Sequence, residues 1–306
     1  MKLKLLLAAA AVASTILTGF CQAGADNAIA LKFNIPAGTK FSNGVTMDMN
    51  MTQTAAGNEI KVTTKITQGY IFEVTKDSAG WKTMNATFAR MAMHMEVMDH
   101  TVDYDSDSPT SDTTSPMAKM GSVFSVMKNS HFTFTMNENG EIGKVTGLKE
   151  MVKKITAGMS STDAAAALQP LGQTFNEESF KQNLQQSFAA YPGKPIKIGE
   201  SWNKTLNMNN AGAIMKLTNT YTLDSIVGGV AKVKLVSIIT VPEGTTIQGM
   251  PATITGTING ENGFDLVTGM PVGANLMMLV DMHITAQGQT IPMSVKTNII
   301  IEGKKL

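Results

Sequence analysis

One cysteine, one arginine and two tryptophans in 306 residues set the first limits on what this chain does. The cysteine, Cys21, lies in the opening segment, so the rest has no thiol for a disulfide, a metal thiolate or a nucleophile. Without cross-links such a chain must be held by its own core, which therefore has to be sizeable. The lone arginine is Arg90, and the lysines are scattered, with 25 basic against 24 acidic residues overall. Nucleic acid calls for a basic face and arginine forks, and an anionic membrane for a polybasic cluster; neither pattern is present. No apolar run after the opening segment is long enough for a transmembrane helix.

Catalytic signatures are equally scarce. There is no G-x-G-x-x-G, P-loop or G-x-S-x-G pattern. His94, His100, His131 and His283 are far apart in the chain. Glu177 and Glu178 are neighbours that point different ways on a helix, so they read as first-turn charges and not as an acid/base pair. The sequence points to a non-enzymatic protein and names no catalytic, cofactor or metal residue.

What is present begins with an expected export signal over residues 1–25. Lys2 and Lys4 lead an apolar run at 5–16, and small residues allow cleavage after Ala23 or Ala25. Cys21 raises the alternative of a lipid anchor. Phe20 just before it and Thr18 at the third place back do not suit an anchoring signal, so the preferred reading is that Cys21 leaves with the signal. The mature protein is expected to be periplasmic or secreted.

From residue 31 onward hydrophobicity alternates with period two. Met47, Met49 and Met51 take one face, Asp48 and Asn50 the other, and long strands follow at 60–76 and 81–97. Gly69 marks a bulge. Residues 99–116 read as an acidic loop, and 117–128 as either helix or strand. A motif then appears twice. Glu138-Asn139-Gly140 precedes Val145-Thr146-Gly147, and Glu261-Asn262-Gly263 precedes Val267-Thr268-Gly269; each Asn-Gly predicts a tight hairpin. Between the copies the period changes to that of helices at 148–155, 161–171 and, after an Asn176 cap, to Tyr191. Gly199-Glu200-Ser201-Trp202 then mirrors Gly38-Thr39-Lys40-Phe41, a glycine with an aromatic three places on. The expected fold is α+β and predominantly antiparallel: two strongly bent sheets or half-barrels, 26–146 and 196–306, with a helical connector at 147–195.

Two chemistries need weighing against plainer readings. The 23 methionines are densest in 91–100, where thioethers and imidazoles could bind copper or silver in the periplasm. Met91, Met93 and Met95 share one strand face, however, and His94 would point the other way, so core filling explains them better. Asp103, Asp105 and Asp107 resemble the head of a calcium loop, but Ser108 and Thr114 stand where Gly and Glu are needed. A third possibility is architectural: bent sheets and amphipathic helices can enclose a lipid or other apolar ligand, and methionine suits an adaptable lining.

Several stretches together carry a resemblance: 31–41 (L-K-F-N-I-P-A-G-T-K-F), Tyr104-Asp105-Ser106, 132–147, and Tyr191-Pro192 leading to Gly199-Glu200-Ser201-Trp202. The chain resembles an uncharacterised family of exported bacterial proteins known only as a domain of unknown function. Its layout is loosely similar to the lipoprotein-carrier fold, an open antiparallel barrel with helices at its mouth. The resemblance implies a cell-envelope protein with a binding or scaffold role, and fold analogy alone assigns no cargo.

Overall fold

The computed structural model describes residues 27–55, 58–98, 100–108, 124–157, 177–210, 213–247, 249–286 and 288–306. The expected signal, the 161–171 helix and the Asn176 cap lie outside them. Among the described residues the chain forms β1 (Lys40–Ala55), β2 (Asn58–Ser78), β3 (Trp81–Val97), β4 (His100–Asp105), β5 (His131–Asn137) and β6 (Ile142–Thr146). A helical turn at 124–127 lies between β4 and β5, and two helices follow β6, α1 (Leu148–Thr156) and α2 (Glu177–Ser187). The second β region holds β7 (Ser201–Asn210), β8 (Ala213–Val227), β9 (Val230–Thr240), β10 (Thr246–Ile247), β11 (Met250–Asp265), β12 (Pro271–Ala286) and β13 (Gln289–Lys305).

The fold is mostly antiparallel β with few helices, and its strands join into one sheet where two were expected. The order is β6-β5-β3-β2-β1-β13-β12-β11-β9-β8-β7, with β4 on β3 and β10 on β11. The seam is the β1–β13 ladder, which runs from Phe41↔Lys305 to Gln53↔Met293. Two meanders thus run in the same direction and meet head to tail. The chain crosses from one edge strand, β6, to the other, β7, through the helices. Helix α2 packs on both edges. At about 4.8 Å per strand, eleven strands laid flat would separate those edges by roughly 50 Å, while an 11-residue helix is only about 16 Å long. The sheet must therefore curl to bring both edges to one helix.

One end of the curled sheet is sealed. Leu31, Phe33 and Ile35 are buried, yet the period-two stretch they open is not a strand. It runs as an extended filament between elements from both meanders, through Ile29↔Ile196, Phe33 N–H to Glu138 O (2.8 Å) and Asn34 N–H to Thr268 O (2.7 Å). Phe33 sits edge-on to Phe41, Phe188 and Tyr191, with ring centroids 6.5, 6.2 and 6.3 Å away. The Tyr191 hydroxyl donates to Gly269 O at 2.8 Å. This aromatic plug is the main core. In α1 the residues Leu148, Met151 and Ile155 form the buried stripe that their spacing predicts.

The two meanders open alike. Gly38 N–H donates to Val74 O (2.7 Å) and Val74 N–H to Thr39 O (3.0 Å); Gly199 N–H donates to Leu223 O (2.7 Å) and Leu223 N–H to Glu200 O (3.1 Å). Each is followed by a stacked aromatic pair, Phe41–Phe72 at 5.2 Å and Trp202–Tyr221 at 5.6 Å. The Asn-Gly echo is different. Asn139-Gly140 does turn β5 into β6, because Asn137 Oδ1 accepts from the Asn139 and Glu141 N–H groups. Asn262-Gly263 lies inside β11, where a bulge follows Gly263. There the turn forms later, around Thr268-Gly269, because Asp265 Oδ1 accepts from Thr268 N–H at 2.8 Å and its hydroxyl at 2.6 Å. An Asx side chain ahead of each turn is the shared device.

The acidic loop expected from residue 99 also needs correction at its start, since 100–105 is strand β4. The short β5 pairs only with Trp81–Thr87 of β3, which leaves the rest of that edge open, and β4 pairs with it from Ala92 to Val97. The Gly69 bulge is present, between Gly69 and Tyr70.

Candidate functional site

The strand register places three successive rows of side chains across the inner face beyond the aromatic plug. The first follows Met93, Ile66, Met47, Ile299, Leu276, Gly260, Leu235, Tyr221 and Trp202. The next runs through Met95, Thr64, Met49, Thr297, Met278, Ile258, Ser237, Asn219 and Lys204. A third holds Val97, Val62, Met51, Val295, Val280, Gly256, Ile239, Leu217 and Leu206. The opposite face of the same strands carries Lys65, Asp48, Lys296, Asn203 and many threonines, together with the exposed Val236, Ile238, Met277, Leu279 and Ile300, so alternation separates an apolar inside from a mixed outside.

This inner face is unevenly covered. Met47, Met49, Met51, Met93, Met95, Leu276, Met278, Val280, Val295 and Ile299 are only half-buried, whereas the side chains of the plug are sealed. Helix α2 does not cover these rows by itself. Its Leu184, and Phe188 just beyond it, belong to the aromatic core, where Phe188 meets Phe33, Phe72 and Phe134. The space beneath that helix is therefore packed. The methionine-bearing surface lies farther along the strands.

Polar atoms interrupt the inner face at its β7–β9 side. Asn219 and Ser237 are directly opposed on β8 and β9, at 3% and 0% exposure. Asn219 Nδ2 donates to Tyr221 Oη at 3.2 Å, but its Oδ1 has no partner. Ser237 Oγ, Thr297 Oγ1 and Trp202 Nε1 are also buried without a partner. Burial raises the Tyr221 phenol to about 12, with the Asn219 hydrogen bond opposing it. Apart from Trp202, which the sequence marks only as the start of a strand, these residues carried no signal in the sequence. Only the register across β7, β8 and β9, and on through β11 and β12 to Thr297 of β13, sets them on one face.

The residues that the sequence singled out fall elsewhere or apart. Met91, Met93 and Met95 share the inner face with Met47, Met49 and Met51, as alternation predicts. His94 points outward, with Nδ1 2.6 Å from Asp103 and Nε2 3.2 Å from Glu96. These two contacts, Asp103 first, raise its pKa above the ordinary value of 6.5. Thioethers and imidazole are thus on opposite sides of β3, which gives copper ligation no geometric support. The aspartates of the would-be calcium loop are engaged with cations. Arg90 Nη2 is 2.7 Å from Asp105 and Lys128 Nζ is 2.7 Å from Asp107, and the Arg90 contact holds the Asp105 carboxyl below its usual range. This charged network borders a shallow outer cavity of about 310 Å³. Among the described residues no three His, Cys, Asp or Glu side chains group as a metal site, and no helix is long and apolar enough to cross a membrane.

An antiparallel β protein with a two-sided sheet and an apolar inner face is the class these observations define. The profile described as "Family of unknown function (DUF6263)" matches residues 79–271, more than half of the chain, and the chain belongs to that family. No curated protein matches it. Among solved structures, one of lipid–protein interactions in lipovitellin is similar over 88% of this chain at 8% identity, with a TM-score of 0.42. This chain spans only 26% of that one. The translocator domain of the autotransporter NalP from Neisseria meningitidis is similar at 6% identity, over 88% of this chain and 90% of its own, with a TM-score of 0.23. OccK5 from Pseudomonas aeruginosa follows at 5% identity, 88% and 98% coverage and a TM-score of 0.22. Scores this low carry no argument.

Proposed function

We propose that this is an exported, non-enzymatic cell-envelope protein that holds an apolar ligand, of the kind a lipid acyl chain provides, against the inner face of its sheet. The observation that carries the reading is the half-buried row of methionine, leucine, isoleucine and valine side chains on that face, adjoining a core that is sealed. Soluble proteins rarely leave so large an apolar surface partly open without a partner for it. Methionine suits such a surface, because its unbranched thioether adapts to chains of different shape. The alike openings of the two meanders support a finer reading, in which each is a bent unit and the pair arose by repetition, with the helices as connector.

The test is extraction of protein purified from its native compartment, followed by mass spectrometry of the organic phase. Co-purifying lipid at near-stoichiometric amounts is the expected result. Clean protein that also fails to bind added lipid would overturn the reading.

A further inference from the structure

We infer that the ligand held on this face is an anion, and that Lys204 receives its charged end beside Trp202 and Ser237. The inference rests on the apolar-ligand reading above and adds the chemistry of the headgroup.

Lys204 is on the inner side of the edge strand β7, half-buried and directly opposite Asn219. In the three inner rows it is the one permanently charged side chain. Some lysines of the sheet have carboxylates at hand, as Lys232 has Glu261 and Lys234 has Asp224, and others without one, such as Lys216 and Lys296, lie exposed on the outer face. For Lys204 the described residues supply no ion-pair partner. An ammonium drawn into apolar surroundings without a counter-charge is unfavourable, so an anion that brings its own apolar chain fits this place.

The second, independent observation is the set of orphaned polar atoms around it. Trp202 is 7% exposed, Ser237 0% and Asn219 3%, and each has a polar atom with no hydrogen-bond partner. Trp202 Nε1–H and Ser237 Oγ–H are donors, as is the ammonium, and together they suit the oxygens of a carboxylate or phosphate. Asn219 stands between Lys204 and Ser237, with its free Oδ1 available to accept from the ammonium and hold it toward the row. Lys204 and Ser237 are two strands apart, roughly 10 Å, a gap that an extended lysine and an oxyanion close together. From there the methionine rows lead away, where the chain would lie.

Trp202 also reports on the site. A Trp81→Phe background leaves it as the one tryptophan. Its quenching is measured with a dibrominated long-chain fatty acid, the methyl ester of that acid, and a phosphatidic acid carrying the same brominated chain. The expected result is an acid affinity at least roughly tenfold above the ester's. Lys204→Met should abolish that preference, Lys204→Arg should retain most of it, and Ser237→Ala should weaken acid binding several-fold. Phosphatidic acid binding more tightly than the fatty acid would assign the anion to a phospholipid; the reverse order would assign it to a free carboxylate. Equal affinity for acid and ester, or a preference that survives Lys204→Met, overturns the inference and leaves the apolar-ligand reading standing. Failure of every probe to quench overturns both. An inward lysine on an edge strand can also serve to discourage edge-to-edge pairing. If that were its whole role, Lys204→Met would aggregate more readily with its acid preference intact. Lys204→Gln replaces Lys204→Met if the latter does not fold.

Discussion

Gly269→Ala is the sharpest test of how the sealed end is held. Gly269 has φ +66°, and a Cβ built there would lie 1.9 Å from Lys32 O and 2.6 Å from Lys32 C. Two costs follow. Forcing an L-residue into the left-handed region costs roughly 1–2 kcal/mol. The clash is with backbone, which cannot rotate aside, and overpacking of that kind costs about 1–3 kcal/mol. Moving the filament to relieve it would loosen the bond from Asn34 N–H to Thr268 O, and moving the turn instead would also loosen the one from Tyr191 Oη to Gly269 O, each worth about 1 kcal/mol. A total loss of roughly 2–5 kcal/mol is expected. Gly80→Ala is the control, because Gly80 has φ +78° but nothing within 4 Å of its Cβ position. It should lose only the first cost, about 1–2 kcal/mol. Urea unfolding followed by circular dichroism, with unchanged m, measures both. Equal losses in the two variants would refute the claim that the filament is clamped against this turn.

Other outcomes follow from the same structure. Phe33→Ala removes a fully buried ring with three aromatic neighbours and should cost about 3–5 kcal/mol, read from denaturant midpoints; a loss under about 1 kcal/mol would mean the plug is not the main core. His94 has its folded pKa raised, so its contribution to stability is complete below the unfolded value near 6.5 and is lost as pH rises through the folded one. An NMR titration should place its midpoint above 6.5, and Asp103→Asn should bring it back down; an unmoved midpoint contradicts the assigned cause.

Much of the strand pattern was legible because alternation is a local property. The inward set of Met47, Met49, Met51, Met91, Met93 and Met95 follows from period two alone, as does the buried stripe of α1 from period 3.6. The outward turn of His94 follows in the same way. Turn placement was less secure. Asn139-Gly140 and Asn262-Gly263 look equivalent, but Asp265 makes a competing turn a few residues after the second, and a side-chain hydrogen bond of that kind outweighs the local preference of Asn-Gly. Strand β4 was missed because its partner edge on β3 is free only when β5 stops short.

The amino-acid order by itself determined which residues of each strand face inward, that helices at 148–156 and 177–187 interrupt the strands, and, with one cysteine in the sequence, that no disulfide within it organises the molecule. Tertiary structure alone decided that the two meanders share one sheet across β1 and β13, and that residues 29–35 bind turns from both. It also decided that Lys204, Asn219 and Ser237 stand in one row. Register between distant strands depends on how whole ladders and their bulges align, and no short window of sequence contains that information.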